Sequence, residues 1–120
     1  MEVGLDLPER LAEPPAHVRA ELLQIAREAL SNVARHAGAT EATVRLSSDG
    51  KDLELEIRDN GRGFELTTTP LDGHFGLANM RDRATALGGA MLVESAAGSG
   101  THIIVRIPIG DDREAHTSDA

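Results

Sequence analysis

Apolar residues in this chain change their period twice in the same order, and that order leaves few folds open. Between His17 and Ala37 they recur every three or four residues: Val18, Leu22, Ile25, Ala26, Ala29, Leu30, Val33 and Ala37. That spacing lines one face of an α-helix. Pro14 and Pro15 fit its start and Gly38 its end. Two alternating segments follow, Ala42–Leu46 and Leu53–Ile57, separated by Ser47-Ser48-Asp49-Gly50. Alternation about a turn reads as an antiparallel hairpin. Residues 65–73 are rich in threonine, contain Pro70 and Gly73, and have no period, which predicts a loop. Leu77, Met80, Ala84 and Leu87 then mark a second helix over Leu77–Leu87, ended by Gly88-Gly89. Ala90–Glu94 and His102–Ile107 alternate again around Ala97-Gly98-Ser99-Gly100. The order helix, hairpin, loop, helix, hairpin predicts an α+β fold. It is a two-layer α/β sandwich, with one mixed, mostly antiparallel sheet and its helices on one face.

The flanks differ in character. Residues 1–16 hold three of the five prolines and a short extended piece around Val3–Leu7. They are read as an N-terminal segment, with the functional domain over 17–109. Residues 110–120 are polar and are expected to be a disordered tail. The whole reads as a domain excised from a longer protein. No internal repeat is present. With 120 residues and 2% aromatics, the single core must be built from Leu, Ile, Val, Met and Ala. A formal charge of −8 argues against nucleic acid and against a polybasic membrane patch. The absence of cysteine excludes disulfides, thiolate metal sites and cysteine nucleophiles. No apolar run approaches the roughly 18 residues of a membrane span. A cytoplasmic domain, monomeric in isolation and without membrane contact, is therefore expected.

Several nucleotide and metal motifs are missing. There is no G-x-x-x-x-G-K-[ST], no G-x-G-x-x-G between a strand and a helix, and no H-E-x-x-H. His17, His36, His74, His102 and His116 show no metal-ligand spacing. Three glycine-rich breaks remain: Asp59–Gly63, Gly73–Gly76 and Gly98–Thr101. Any one of them alone reads as an ordinary turn. Each, however, lies at an element end, and the first helix carries Glu28, Asn32 and His36 at four-residue spacing as a polar stripe beside its apolar face.

In that combination the chain resembles the GHKL ATPases, a family that includes gyrase, MutL, the ninety-kilodalton heat-shock chaperones and sensor histidine kinases. Glu28-x-x-x-Asn32-x-x-x-His36 is similar to their N box. Asp59-x-Gly61-x-Gly63 is similar to the first glycine box, Gly73-His74-Phe75-Gly76-Leu77 to the second, and Gly98-Ser99-Gly100-Thr101 to the third. The boxes come in the family's order over residues 17–108. Within the family, the run from Gly76 to Ala84 and the run Asn32-Val33-Ala34-Arg35-His36-Ala37 resemble histidine kinases of the NarL/DegU-type class.

The resemblance implies a Bergerat-type site for ATP and Mg2+. Asp59 would accept a hydrogen bond from the adenine amine, since an ionised carboxylate only accepts. Gly61, Gly63, Gly76, Gly98 and Gly100 would let backbone approach the nucleotide, with Leu77 beside it. The Thr101 hydroxyl would help Asp59 directly or through water. Asn32 offers a neutral oxygen to Mg2+, alongside phosphate oxygens and water. Glu28, one turn earlier, would act as general base; apart from the motif it reads as a solvated helix residue. Arg35 and His36 would reach phosphates, or else lie on the surface. Arg81 and Arg83 are open in the same way, and Arg83 could equally form a helix salt bridge.

The 11 residues from Glu65 to Phe75 correspond to the family's ATP lid. No complete R-E-x-H-D phosphoacceptor motif occurs in the chain. The resemblance therefore implies a catalytic domain that presents ATP to a histidine on a separate dimerisation domain, with a response regulator as indirect partner. Two alternatives stay open: an anti-sigma-factor serine kinase of the same superfold, and a nucleotide-binding module without transferase activity.

Overall fold

A computed structural model describes residues 2–7, 14–34, 38–49, 51–62, 77–95 and 98–109. The described elements are β1 (Glu2–Asp6), α1 (Ala16–Asn32), β2 (Glu41–Ser48), β3 (Asp52–Asp59), α2 (Leu77–Ala86), β4 (Ala90–Ser95) and β5 (Thr101–Pro108). The five strands form one sheet in the order β1-β2-β3-β5-β4. β1 runs parallel to β2, and the other three pairings are antiparallel. The sandwich expected from the changes of period is therefore the one observed. The extended N-terminal piece is an edge strand of the same sheet.

The strands outrun their alternating cores by one or two residues at an end. Polar terminal residues still find ladder partners, and backbone pairing does not depend on the side chain. The α-helix runs to Asn32, the Val33 N–H is shared between the carbonyls of Ala29 and Leu30, and Val33 and Ala34 continue it as a π turn. Residues 35–37, the rest of the expected helix, lie outside the described residues.

Both helices pack on the same side of the sheet. Val18, Leu22, Ile25 and Ala29 of α1 and Leu77, Met80 and Ala84 of α2 share one core with Val44, Leu53, Leu55, Ile57, Met91, Val93, Ile103, Val105 and Ile107. The outer face carries side-chain pairs between neighbouring strands, beside the exposed Leu92. Arg106 Nη2 lies 2.7 Å from Glu54 Oε2, His102 Nε2 lies 2.8 Å from Glu56 Oε2, and Arg45 Nε lies 3.4 Å from Asp6 Oδ2.

Two packing facts orient the helices. Arg19, Leu22 and Leu23 of α1 line one groove with Leu46, Leu53 and Leu55. The N-terminal half of α1 thus sits at the Leu53 end of the sheet, and its C-terminal half runs towards the Asp59 end. α2 leads through Gly88-Gly89 into Ala90, which pairs with Arg106 near the Leu53 end. Its first residue, Leu77, therefore points back towards the Asp59 end. Arg62 and Leu77, which flank residues 63–76, face the same end as Asn32.

Candidate functional site

β3 places Leu53, Leu55, Ile57 and Asp59 on one face, because every second residue points the same way. The first three join the core. At the fourth position the apolar row ends in a carboxylate. Asp59 is 7% exposed and is the buried charged side chain among the described residues. A buried carboxylate is costly unless it is hydrogen-bonded. Here the Gly61 N–H donates to Asp59 Oδ1 at 2.7 Å. The ladder pairs Asp59 with Ala42 on one side and Thr101 on the other, and Thr101 with Ser95. The last inward row of the sheet therefore reads Ala42, Asp59, Thr101, Ser95.

Gly100 explains how this row closes. Its φ is +78°, and a Cβ there would stand 2.3 Å from the Asp59 carbonyl oxygen. Only glycine fits both the left-handed backbone and that contact. Nearby, the Gly98 N–H donates to the Arg62 carbonyl. The Asp59–Gly61 turn and the Gly98–Thr101 turn, about 40 residues apart in the chain, are thus packed on each other. Asn60 anchors the first turn from outside. Its Oδ1 accepts from the Thr40 and Glu41 N–H groups, both at 3.0 Å, and its Nδ2 donates to Thr40 Oγ1 at 2.9 Å. The result is a cleft of about 590 Å3 lined by Arg58, Asp59, Glu94, Ser95, Gly100, Thr101 and His102 among others.

Glu28 and Asn32 reach the same end of the molecule on α1. They are one turn apart, about 6 Å along the axis. Both are half-buried, and Asn32 Oδ1 is buried. Leu77 is buried at the start of α2. Six of the candidate residues are therefore gathered around one end of the sheet by the described elements: Glu28, Asn32, Asp59, Gly61, Gly100 and Thr101. Gly98 and Leu77 flank them.

Arg83 is engaged elsewhere. Its Nη1 lies 2.9 Å from Glu21 Oε2, tying α2 to α1. Glu21 is 11 residues before Asn32, about 16 Å along the helix axis. The helix salt bridge that the sequence left open is the contact observed. Thr101 Oγ1 lies 3.0 Å from Ser95 Oγ. Arg35, His36, Gly63, Gly76 and the lid residues Glu65–Phe75 lie outside the described residues.

Sequence reasoning missed Ser95 and Asn60. For Ser95 a signal existed, since Met91 and Val93 set an inward apolar row in β4 and a hydroxyl continues it. Asn60 carried no such signal, because its partner Thr40 is 20 residues away.

The donor chemistry suits a nucleotide and a hard cation. Asp59 presents acceptors only, and Gly100 brings backbone close to the cleft. Among the described residues no group of three or more His, Asp or Glu side chains could hold a metal ion by itself. A single neutral oxygen at Asn32 matches Mg2+, which keeps several waters and takes phosphate oxygens as ligands. Among the described residues no helix is long and apolar enough to cross a membrane.

Sheet order, helix pair and buried carboxylate define a two-layer α+β sandwich with a ligand cleft at one end of its sheet. Residues 17–111 match the family described as histidine kinase-, DNA gyrase B-, and HSP90-like ATPase, and the chain belongs to that family as an ATP-binding domain. It is 41% identical over 92 residues to the sensor histidine kinase LiaS of Bacillus subtilis (strain 168), covering 77% of this chain and 25% of LiaS. It is 38% identical over 98 residues to the sensor protein VraS of Staphylococcus aureus (strain COL), covering 82% of this chain and 28% of VraS. The chain thus spans about a quarter of the length of the curated relatives it matches. The ATP-binding domain of PrrB from Mycobacterium tuberculosis shares the fold, with a TM-score of 0.71 at 23% identity over 91% of this chain and 82% of that one. The blue-light activated histidine kinase of Erythrobacter litoralis EL346 does so with a TM-score of 0.75 at 22% identity, over 93% of this chain and 37% of that one.

Proposed function

We propose that this chain is the ATP-binding catalytic domain of a cytoplasmic two-component sensor histidine kinase. It presents Mg2+-bound ATP for γ-phosphoryl transfer to a histidine on a separate dimerisation domain of the same kinase. From there the phosphoryl group passes to a response regulator. The observation that carries the reading is Asp59, a carboxylate held at the mouth of an apolar core by the Gly61 N–H and pressed from behind by Gly100.

Each residue has a role in that reading. Asp59 accepts a hydrogen bond from the exocyclic amine of adenine. Gly61 lets backbone approach the base, and Gly100 leaves room for the Asp59 carbonyl behind it. Asn32 would hold Mg2+, which when bound neutralises charge on the phosphate oxygens. Arg35 and His36, just beyond α1, would meet the phosphates. Glu28 takes the proton from the attacking imidazole, a contribution typically worth about 10²–10⁴-fold. Positioning and charge stabilisation supply most of the rest, as in phosphoryl transfer generally. Arg83 is not needed at the nucleotide while it pairs with Glu21.

The test uses the chain with a dimerisation domain of the matching class supplied in trans. Alone, it should bind Mg2+-ATP and show little autophosphorylation, since no complete R-E-x-H-D motif is present. With the partner, phosphate should appear on histidine as an acid-labile, alkali-stable phosphoramidate. An acid-stable phosphoester on the partner would reject the histidine-kinase reading while leaving the ATP site in place.

A further inference from the structure

Asp59 ends β3 with its side chain turned inward, so the next residue, Asn60, turns outward. Its amide grips the chain that leads into β2. Oδ1 accepts the N–H groups of Thr40 and Glu41, Nδ2 donates to Thr40 Oγ1, and the Asn60 N–H donates to the Glu41 carbonyl at 3.2 Å. Asn60 is thus bound on several sides to a two-residue segment. That segment is itself held, since the Glu2 N–H donates to the Thr40 carbonyl at 2.9 Å. Thr40, Glu41 and Asn60 are all exposed. Water can replace the side-chain bonds, so their net worth to folding is small. Their effect on direction is larger. The peptide that follows Asn60 carries the buried Gly61 N–H, which donates to Asp59 Oδ1 at 2.7 Å. Glycine has no backbone preference of its own to aim that N–H. The Gly98 N–H holds the Arg62 carbonyl beyond it. The Gly61 peptide is therefore suspended between two anchors, and Asn60 is the one that adjoins it.

We propose that Asn60 is a positioning residue for nucleotide binding. It aims the Gly61 N–H at Asp59 Oδ1, which sets the plane of the carboxylate and leaves the second oxygen for the ligand. The inference rests on the nucleotide-binding reading above. Asn60 is not among the residues lining the cleft, and it acts through Gly61 and Asp59 without touching the ligand. Removing its amide lets the Gly61 peptide turn, and the carboxylate then loses the donor that orients it.

The test measures amide hydrogen exchange at Gly61 and affinity for Mg2+-ADP in the 120-residue chain. Asn60→Ala should speed exchange at Gly61 by about tenfold, while the amides of Ile57 and Val105 in the paired strands keep the parent's rates. Affinity should fall by about three- to tenfold, less than for Asp59→Asn, because the carboxylate is misdirected and not removed. In an Asp59→Asn background, Asn60→Ala should change affinity by no more than about twofold, since effects that act through one group do not add. Asn60→Asp keeps acceptors for the Thr40 and Glu41 N–H groups and should keep Gly61 protected. If Asn60→Ala does not stay folded, Thr40→Val, which removes the Nδ2 bond from the other side, should speed exchange at Gly61 in the same direction. Parent-like exchange at Gly61 in the folded variant, or a loss of affinity that adds in full to that of Asp59→Asn, overturns the inference and leaves the nucleotide site standing. A parent chain that does not bind Mg2+-ADP overturns the functional reading, and the inference with it.

Discussion

Replacing Asp59 by asparagine should separate base recognition from folding. The side chains have the same shape, so Oδ1 of the variant can still accept the Gly61 N–H that lies 2.7 Å away in the parent. The change falls on the second oxygen, which becomes an NH2 group. It then faces the donors of an exocyclic amine with donors of its own. The bond removed is to a charged acceptor, worth roughly 1.5–3 kcal/mol. At about 1.4 kcal/mol per factor of ten, affinity for Mg2+-ADP should fall by about ten- to a hundredfold. The unliganded fold should change little, because the packing volume and the Gly61 contact remain. Thermal melts report both effects. A ligand at a hundred times Kd stabilises the parent by about 2.7 kcal/mol. At the same concentration a variant binding a hundredfold more weakly gains only about 0.4 kcal/mol by the same relation. Calorimetric titration gives the affinities directly. If Asp59→Asn binds Mg2+-ADP within twofold of the parent, the carboxylate does not read the base.

Other outcomes follow from particular contacts. Gly100→Ala should destabilise by well over 1 kcal/mol in urea titration, since its Cβ would meet the Asp59 carbonyl at 2.3 Å. Gly98→Ala, with a similar φ of +83° but nothing within 4 Å, should cost only the left-handed strain of about 1–2 kcal/mol. Equal costs would mean that the close approach at Gly100 is not what holds the two turns together. Arg83→Ala and Glu21→Ala should couple weakly in a double-mutant cycle, at about 0.2–1 kcal/mol for a partly exposed pair, with nucleotide affinity unchanged; a tenfold loss of affinity in Arg83→Ala would return that arginine to the site. Asn32→Asp should alter the Mg2+ dependence of binding, and Glu28→Ala should slow transfer to a dimerisation domain far more than it weakens ATP binding; identical behaviour of both variants and parent in both assays would remove these residues from the chemistry. Asp49 Oδ1 accepts the N–H groups of Asp52 and Lys51 at 2.8 and 2.9 Å, which holds its carboxyl below the usual value of 3.8. Its contribution to stability is therefore present above about pH 4 and is lost as pH falls through the lower folded value. The melting difference between parent and Asp49→Ala should narrow in that acid range, and a difference constant down to pH 2 would show that the charge plays no part.

Element types and their order were legible in the residues because helices and strands impose different periods on buried side chains. Val18, Leu22, Ile25 and Ala29 are spaced for one helix face, and Leu53, Leu55 and Ile57 for one strand face, whatever lies opposite them. The glycine breaks were equally visible, and with the Glu28–Asn32 stripe they marked the end of the fold where a ligand belongs. What local sequence does not encode is which distant groups meet. The parallel pairing of β1 with β2 depends on the path of the whole α1 crossover, not on the five residues of β1. The contact that requires glycine at position 100 is with a backbone oxygen some 40 residues earlier, and it exists only once β3 and β5 are paired. The sequence left Arg83 open between a phosphate and a helix salt bridge. The antiparallel packing of α1 and α2 gave it Glu21. Ser95 read as one more polar residue before a turn. Only the ladder register, formed once β3, β5 and β4 pair, sets it beside Thr101 and Thr101 beside Asp59 at the end of the sheet.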